Sequence, residues 1–249
     1  MRVISVTGIT GSGKTTTVET IISGLRRQRY SVGSVKDIHF EKFAIDTPGS
    51  NTDRHRSAGA QLVTARGMQE TDVLFPGKLP IQKILSFYEH DWVVLEGVRD
   101  ANVPRIICAH DEEGIEQQLD AYVIGIAGVI ANRIDSEYKG LPVFNVLRES
   151  EQLLKFVEAK VPKLLPDFTA ECCGLCGMSC RDLLGQINRG QASREDCVLE
   201  QRVRLKVGEQ DITMVPFVQE VLAKTLIGLV STLDGYQAHK PIEIKINND

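Results

Sequence analysis

Apolar positions along this chain switch repeatedly between short unbroken runs and stretches with helical spacing. Arg2-Val3-Ile4-Ser5-Val6 is a β-rich run, and Thr16 to Arg27 follows with Val18, Ile21, Ile22 and Leu25 on one helical face. Ser31 to Lys36 reads as a second strand, and Ile38 to Thr52 as irregular chain with a turn signal at Asp46-Thr47-Pro48-Gly49. A polar helical turn over Asp53 to Ala60 leads into strands at Gln61 to Ala65 and Thr71 to Leu74, then helical spacing over Ile81 to Tyr88. Asp91 to Gly97 has the unbroken apolar character of a buried parallel strand and ends in a carboxylate. Arg105 to Ala109 and Tyr122 to Val129 are two more apolar runs, Pro142 to Asn145 a short last strand, and Glu149 to Ala159 a helix. This alternation predicts an α/β domain over residues 1–160, its mostly parallel sheet covered by helices.

Val161 to Asp167 carries two prolines and reads as a linker, after which the pattern changes. Arg202 to Val207 and Asp211 to Val215 flank Gly208-Glu209-Gln210 as a hairpin, Phe217 to Leu233 is helical, and Ile242, Ile244 and Ile246 alternate in a final strand from Pro241. The expectation is a small C-terminal α+β domain over residues 168–249. At 249 residues the chain has room for two such unequal units. Charged residues make up 25% and the formal charge is −4, which gives no hint of binding to nucleic acid or a membrane surface. No apolar run reaches the length of a membrane span, and residues 1–20 do not read as a signal peptide, so a cytoplasmic location is expected.

The first strand and helix are joined by Gly8-Ile9-Thr10-Gly11-Ser12-Gly13-Lys14-Thr15, a full match to the phosphate-loop pattern G-x-x-x-x-G-K-[ST]. Strand, glycine loop and helix together give the pattern a mechanism. The glycines allow close backbone approach, inward N–H groups and the helix dipole favour an anion, and Thr16 continues the helix start. Lys14 is placed to reach β- and γ-phosphates, and the Thr15 hydroxyl to ligate Mg²⁺. The second carboxylate of such a metal site belongs at the end of a neighbouring strand, where Glu96 stands, with Lys14 and Glu96 as the residues closest to any chemistry. Asn132 and Asp135, in Val129-Ile130-Ala131-Asn132-Arg133-Ile134-Asp135, have the form of a purine-reading N-K-x-D element with arginine for lysine. A carboxylate there pairs with guanine donors that adenine lacks; a solvated loop fits the residues equally.

Val35-Lys36-Asp37-Ile38-His39, Ile45-Asp46-Thr47-Pro48-Gly49, Thr52-Asp53-Arg54-His55-Arg56-Ser57-Ala58-Gly59-Ala60 and Leu95-Glu96-Gly97-Val98-Arg99 resemble the MobB family, the molybdopterin-guanine dinucleotide biosynthesis proteins B. The similarity covers about residues 1–160. It implies binding of GTP (with ATP possible) and Mg²⁺, slow hydrolysis, a homodimer, and service to the molybdopterin guanylyltransferase that supplies molybdenum and tungsten enzymes. Two departures stand out. The family's K-H-x-H-H run is here Lys36-Asp37-Ile38-His39-Phe40, and the lysine and aspartate after D-x-P-G are Ser50 and Asn51. Lys36, Arg54 and Arg56 form a basic set suited to a second phosphate-bearing ligand such as a pterin phosphate, or simply a solvated face. His39 and Asp46 are open to orienting metal-bound water or packing the loop, and the isolated Cys108 reads as a core residue.

Five of six cysteines fall between Cys172 and Cys197, a clustering that points to metal rather than disulfides. Cys173, Cys176, Cys180 and Cys197 have the spacing C-x₂-C-x₃-C-x₁₆-C, with Cys172 left over. The segment resembles the four-cysteine [4Fe–4S] domain of Rnf and corrinoid iron–sulfur proteins, one residue short between the second and third cysteines. Zinc suits four thiolates as well. Two other functions compete at this level: an NTP-driven metallochaperone that hands over a cluster or metal, and a phosphate-loop kinase of a small molecule.

Overall fold

A computed structural model of the chain describes residues 1–40, 43–167, 176–197, 203, 205–208, 210–212, 214, 216–238, 240 and 242–246. By its contacts the chain divides into one unit of Met1–Leu164 with Leu184–Gln191, and another of Leu165–Leu183 with Ala192–Asp249.

The first unit is built on five parallel strands: β1 (Arg2–Gly8), β2 (Val32–Lys36), β5 (Trp92–Glu96), β6 (Arg105–Cys108) and β7 (Val123–Ala127), in the order β2-β5-β1-β6-β7. The interior strands are apolar on both faces because helices cover both; Ser5, buried in β1, donates its hydroxyl to Val98 O at 2.7 Å. On one face α1 (Lys14–Arg27) and α5 (Ser150–Lys160) press Val18, Ile21, Leu25, Leu153 and Val157 against Ile4, Val6, Val94 and Ile106. Trp92 is the largest side chain there, with Tyr30 edge-on at 6.3 Å and the Arg2 guanidinium 5.3 Å from its ring centre. A residue such as Leu25, with no exposed surface, costs about 2–5 kcal/mol when cut back to alanine. On the other face α3 (Ile81–Leu85) covers Val3, Val93 and Leu95, while α4 (Glu112–Glu116) places Ile115 against Ile107 and Ile126.

Between β2 and β5 the chain leaves the sheet. Helix α2 (Asn51–Ser57) starts where the Ser50 hydroxyl accepts the Asp53 N–H at 3.0 Å, a side-chain cap on an otherwise unpaired donor. β3 (Val63–Arg66) and β4 (Thr71–Leu74) then pair antiparallel, among the described residues with each other only, so the two strands expected here form a ribbon outside the parallel sheet. The last strand expected, Pro142 to Asn145, is a correction. Leu141–Pro142 (β9) pairs with Glu137–Tyr138 (β8), and Val143 makes one isolated bridge to Ile126. Pro142 has no N–H to give and Val143 sends its own to Ser136 O at 2.9 Å, which leaves little for a ladder. Past α5 the segment read as a linker is packed up to Leu164: Val161 is 2% exposed, and Leu164 N–H bonds Met1 O at 3.1 Å.

Helix α6 (Cys180–Asn188) spans the division between units. In the second unit β10 (Leu205–Val207) and β11 (Gln210–Ile212) form the hairpin expected, and α7 (Pro216–Val230) the helix. Residues 242–246 form no strand: among the described residues the alternating isoleucines pair with no neighbour, and they are exposed. Among the described residues no helix is long and apolar enough to cross a membrane.

Candidate functional site

The chain leaves β1 toward β2 on one side of the sheet and leaves its neighbour β6 toward β7 on the other, so a crevice opens beyond the carboxyl end of β1, where ligands of open α/β sheets sit. The glycine loop fills that place. Gly13, the residue before α1, has φ 95°, a left-handed conformation, and faces Gly128 at the end of β7. A Cβ on Gly13 would come within 2.9 Å of Gly128 Cα, and one on Gly128 within 2.1 Å of Ser12 O. The two segments are in backbone contact, tied by Val129 N–H to Ser12 O at 3.0 Å. Ser12 is buried and donates its hydroxyl to Ile9 O at 2.8 Å; Lys14 Nζ donates to the same carbonyl at 2.6 Å. Beneath the loop Cys108 lies 3.4 Å from Thr17 Oγ1, and burial pushes its thiol up to about 11. Cys108 is a core residue, as its isolation in the sequence implied.

Glu96, at the end of β5 and 7% exposed, accepts the Thr15 hydroxyl at 2.9 Å on Oε1 and faces Lys36 Nζ at 3.1 Å on the same oxygen. Register explains the convergence: Val6 pairs with Glu96, and Lys36 with Glu96 from the other side. Cis ligands of an octahedral Mg²⁺ with bonds of about 2.0–2.1 Å stand about 2.9 Å apart, so the spacing of the Thr15 and Glu96 oxygens suits two such ligands once the Thr15 hydroxyl gives up its hydrogen bond to the carboxylate.

The family model for molybdopterin guanine dinucleotide synthesis protein B matches residues 3–131. This chain belongs to the MobB family. A putative molybdopterin-guanine dinucleotide biosynthesis adapter protein of Methanocaldococcus jannaschii is 30% identical over 99% of this chain and 98% of its own. That likeness runs through the cysteine segment. A probable adapter protein of Bacillus subtilis is 26% identical over 57% of this chain and 84% of its own. The crystal structure of Bacillus subtilis MobB covers 63% of this chain and 98% of its own at 23% identity, with a TM-score of 0.51; it shares the fold.

In this MobB-family chain the structure brings Thr15 and Lys36 together on Glu96, with the loop Gly8–Thr15 and Thr16 at the start of α1 beside them. The other members of the basic set do not join them. Arg54 and Arg56 are exposed on α2, Arg56 is paired with Asp53 at 2.7 Å, and among the described residues neither bonds Lys36, Glu96 or the loop. Asp46 belongs to the same excursion; hydrogen bonds from the Ser50 and Thr52 hydroxyls lower its carboxyl below the ordinary value. Asn132 lies in a 3₁₀ turn (Val129–Asn132) hung from the Ser12 contact, and its amide donates to Val129 O at 3.1 Å and accepts from Asn145 at 3.0 Å. Asp135 is exposed on the following loop.

Two side chains just past the ends of strands escaped the sequence reading. Asp37 follows β2 and faces Lys78 Nζ at 3.1 Å and His39 Nε2 at 3.9 Å. His110 follows β6 and meets Thr10 O at 3.1 Å. The signal available for both was position: each stands just past the carboxyl end of a strand neighbouring the crevice.

Of the cysteines, Cys173 lies outside the described residues together with Cys172. Cys176 is half-buried with Sγ 3.4 Å from Met178 O, while Cys180 and Cys197 are buried. Among the described residues no three His, Cys, Asp or Glu side chains gather as a metal requires, so Cys176, Cys180 and Cys197 do not by themselves make a ligand set.

Proposed function

We propose that this chain binds GTP with Mg²⁺, hydrolyses it slowly, and serves as an adapter in molybdopterin guanine dinucleotide biosynthesis. The observation that carries the nucleotide reading is the pairing of Thr15 Oγ1 with Glu96 Oε1 at 2.9 Å beside the glycine loop at the start of α1. The adapter role rests on family membership and on the names of the relatives. The loop amides hold the phosphates, and Lys14 turns from Ile9 O to the β- and γ-oxygens. Thr15 and Glu96 hold the ion, which when bound neutralises phosphate charge. Asn132 and Asp135 read the base, and Lys36 faces the phosphate of a second ligand such as a molybdopterin. The guanylyltransferase and molybdenum or tungsten enzymes are the partners in this reading, and the working form is a cytoplasmic homodimer.

Residues 168–249 are proposed as a cysteine-rich domain with a [4Fe–4S] cluster, or zinc, on Cys173, Cys176, Cys180 and Cys197. Its support is the spacing and the burial of Cys180 and Cys197. Calorimetric titration of GTP and ATP with and without Mg²⁺ tests the first reading. Wild type should bind GTP more tightly, and Lys14→Ala should lose binding while keeping its circular dichroism; equal binding by Lys14→Ala rejects the site. Iron, sulfide and zinc analysis of protein purified without oxygen tests the second. About one centre per chain, lost in Cys176→Ser, is expected, and metal-free wild type rejects it.

A further inference from the structure

We propose that His110 is a positioning residue that holds the outer limb of the phosphate loop, Ile9 to Gly11, in its phosphate-wrapping shape. The inference rests on the nucleotide reading above and deepens it. Ile9 O is held by donors from within the loop, the Ser12 hydroxyl at 2.8 Å and Lys14 Nζ at 2.6 Å. Thr10 O is held from outside, by His110 Nε2 at 3.1 Å. A carbonyl only accepts, so Nε2 carries the proton in this contact. The ring also lies over Gly11, where an added Cβ would stand 3.6 Å from Nε2.

The imidazole is well anchored for this task. Its chain neighbour Ala109 is fully buried and accepts Ile130 N–H at 2.9 Å; its other neighbour, Asp111, caps α4 by accepting Gly114 N–H at 2.8 Å. β6 itself is paired to β1 up to Gly8 and Cys108. His110 therefore sits on a fixed platform beside the loop. When Lys14 leaves Ile9 O for a phosphate, the limb loses one of its internal braces; the Ser12 hydroxyl still holds Ile9 O, and the bond from His110 to Thr10 O is the outside brace that the exchange leaves in place. Without it the Thr10 and Gly11 peptides are free to rotate their N–H groups away from the phosphate.

Release of radiolabelled GTP, chased with unlabelled GTP in Mg²⁺ buffer, measures the effect in wild type, His110→Ala and His110→Gln. Glutamine can present a donor in place of Nε2, whereas alanine cannot. Alanine should speed release about fivefold to tenfold with little change in association, and glutamine should restore most of the wild-type rate. The melting temperature without nucleotide should be the same for all three. Release from His110→Ala at the wild-type rate overturns the inference, as does a glutamine variant no slower than alanine. A wild type that retains no nucleotide overturns the nucleotide reading itself, which separates the two failures.

Discussion

Replacing Gly128 by alanine puts the contact between β7 and the phosphate loop under direct strain. The residue has φ 86° and ψ −157°, a region essentially reserved for glycine, where a side chain costs about 1–3 kcal/mol. The new Cβ would also lie 2.1 Å from Ser12 O and 3.0 Å from Cys108 Cβ, and the first of these is backbone that cannot swing aside. Overpacking of this kind adds about 1–3 kcal/mol. The total, about 2–6 kcal/mol, corresponds to a fall of about 4–24 °C in melting temperature at about 2–4 °C per kcal/mol. Gly59→Ala is the matched control: φ is 104° there and nothing lies within 4 Å, so only conformational strain is added. Differential scanning calorimetry of both variants isolates the clash. Because the strain falls on Ser12, whose carbonyl holds Val129 N–H at 3.0 Å, Gly128→Ala should also weaken GTP binding while Gly59→Ala should not. Equal melting temperatures for the two variants, with equal GTP affinity, would refute the backbone contact as a determinant of the loop.

Glu96→Gln keeps the acceptor for Thr15 but removes the charge, and Mg²⁺ titration at saturating GTP should show about 10- to 100-fold weaker metal binding; an unchanged titration would remove Glu96 from the metal site. Cys108, with its thiol raised to about 11 by burial, should resist iodoacetamide at pH 8 in the folded protein and react once denatured, as peptide mass mapping would show. Asp46 is lowered from its ordinary 3.8, chiefly by the Ser50 hydroxyl, so its contribution to the α2 entry is complete above that value and lost only as pH falls through the lower folded one. An NMR titration of its carboxyl should therefore have a midpoint under 3.8, and so should that of Asp53, which accepts Gly49 N–H and Arg56.

The sequence was most legible where chemistry and strand direction are written locally. The glycine loop, Lys14, Thr15 and the carboxylate closing Trp92–Glu96 needed only short-range pattern, because the backbone between strand and helix fixes them. Lys36 and Glu96 meet through the register of two strands separated by the whole α2–β4 excursion, which no local spacing encodes. The same holds for His110 and Gly128, each brought to the loop at the end of a strand that follows it only much later in the chain. Arg54 and Arg56 were grouped with Lys36 for their charge, whereas α2, which carries them, lies on an excursion outside the parallel sheet, a placement that charge does not encode. Ile242, Ile244 and Ile246 alternate like a strand, yet alternation specifies a face and not a partner.

Trp92 is the chain's one tryptophan, and it opens the strand that Glu96 closes. Its indole is wrapped by Arg2 and Tyr30 within the core under α1, the helix whose first residues are Lys14 and Thr15. The protein thus carries an intrinsic optical reporter wired to both halves of its phosphate site. Emission colour and quenching of this single fluorophore would register any tightening of that helix or strand without a label.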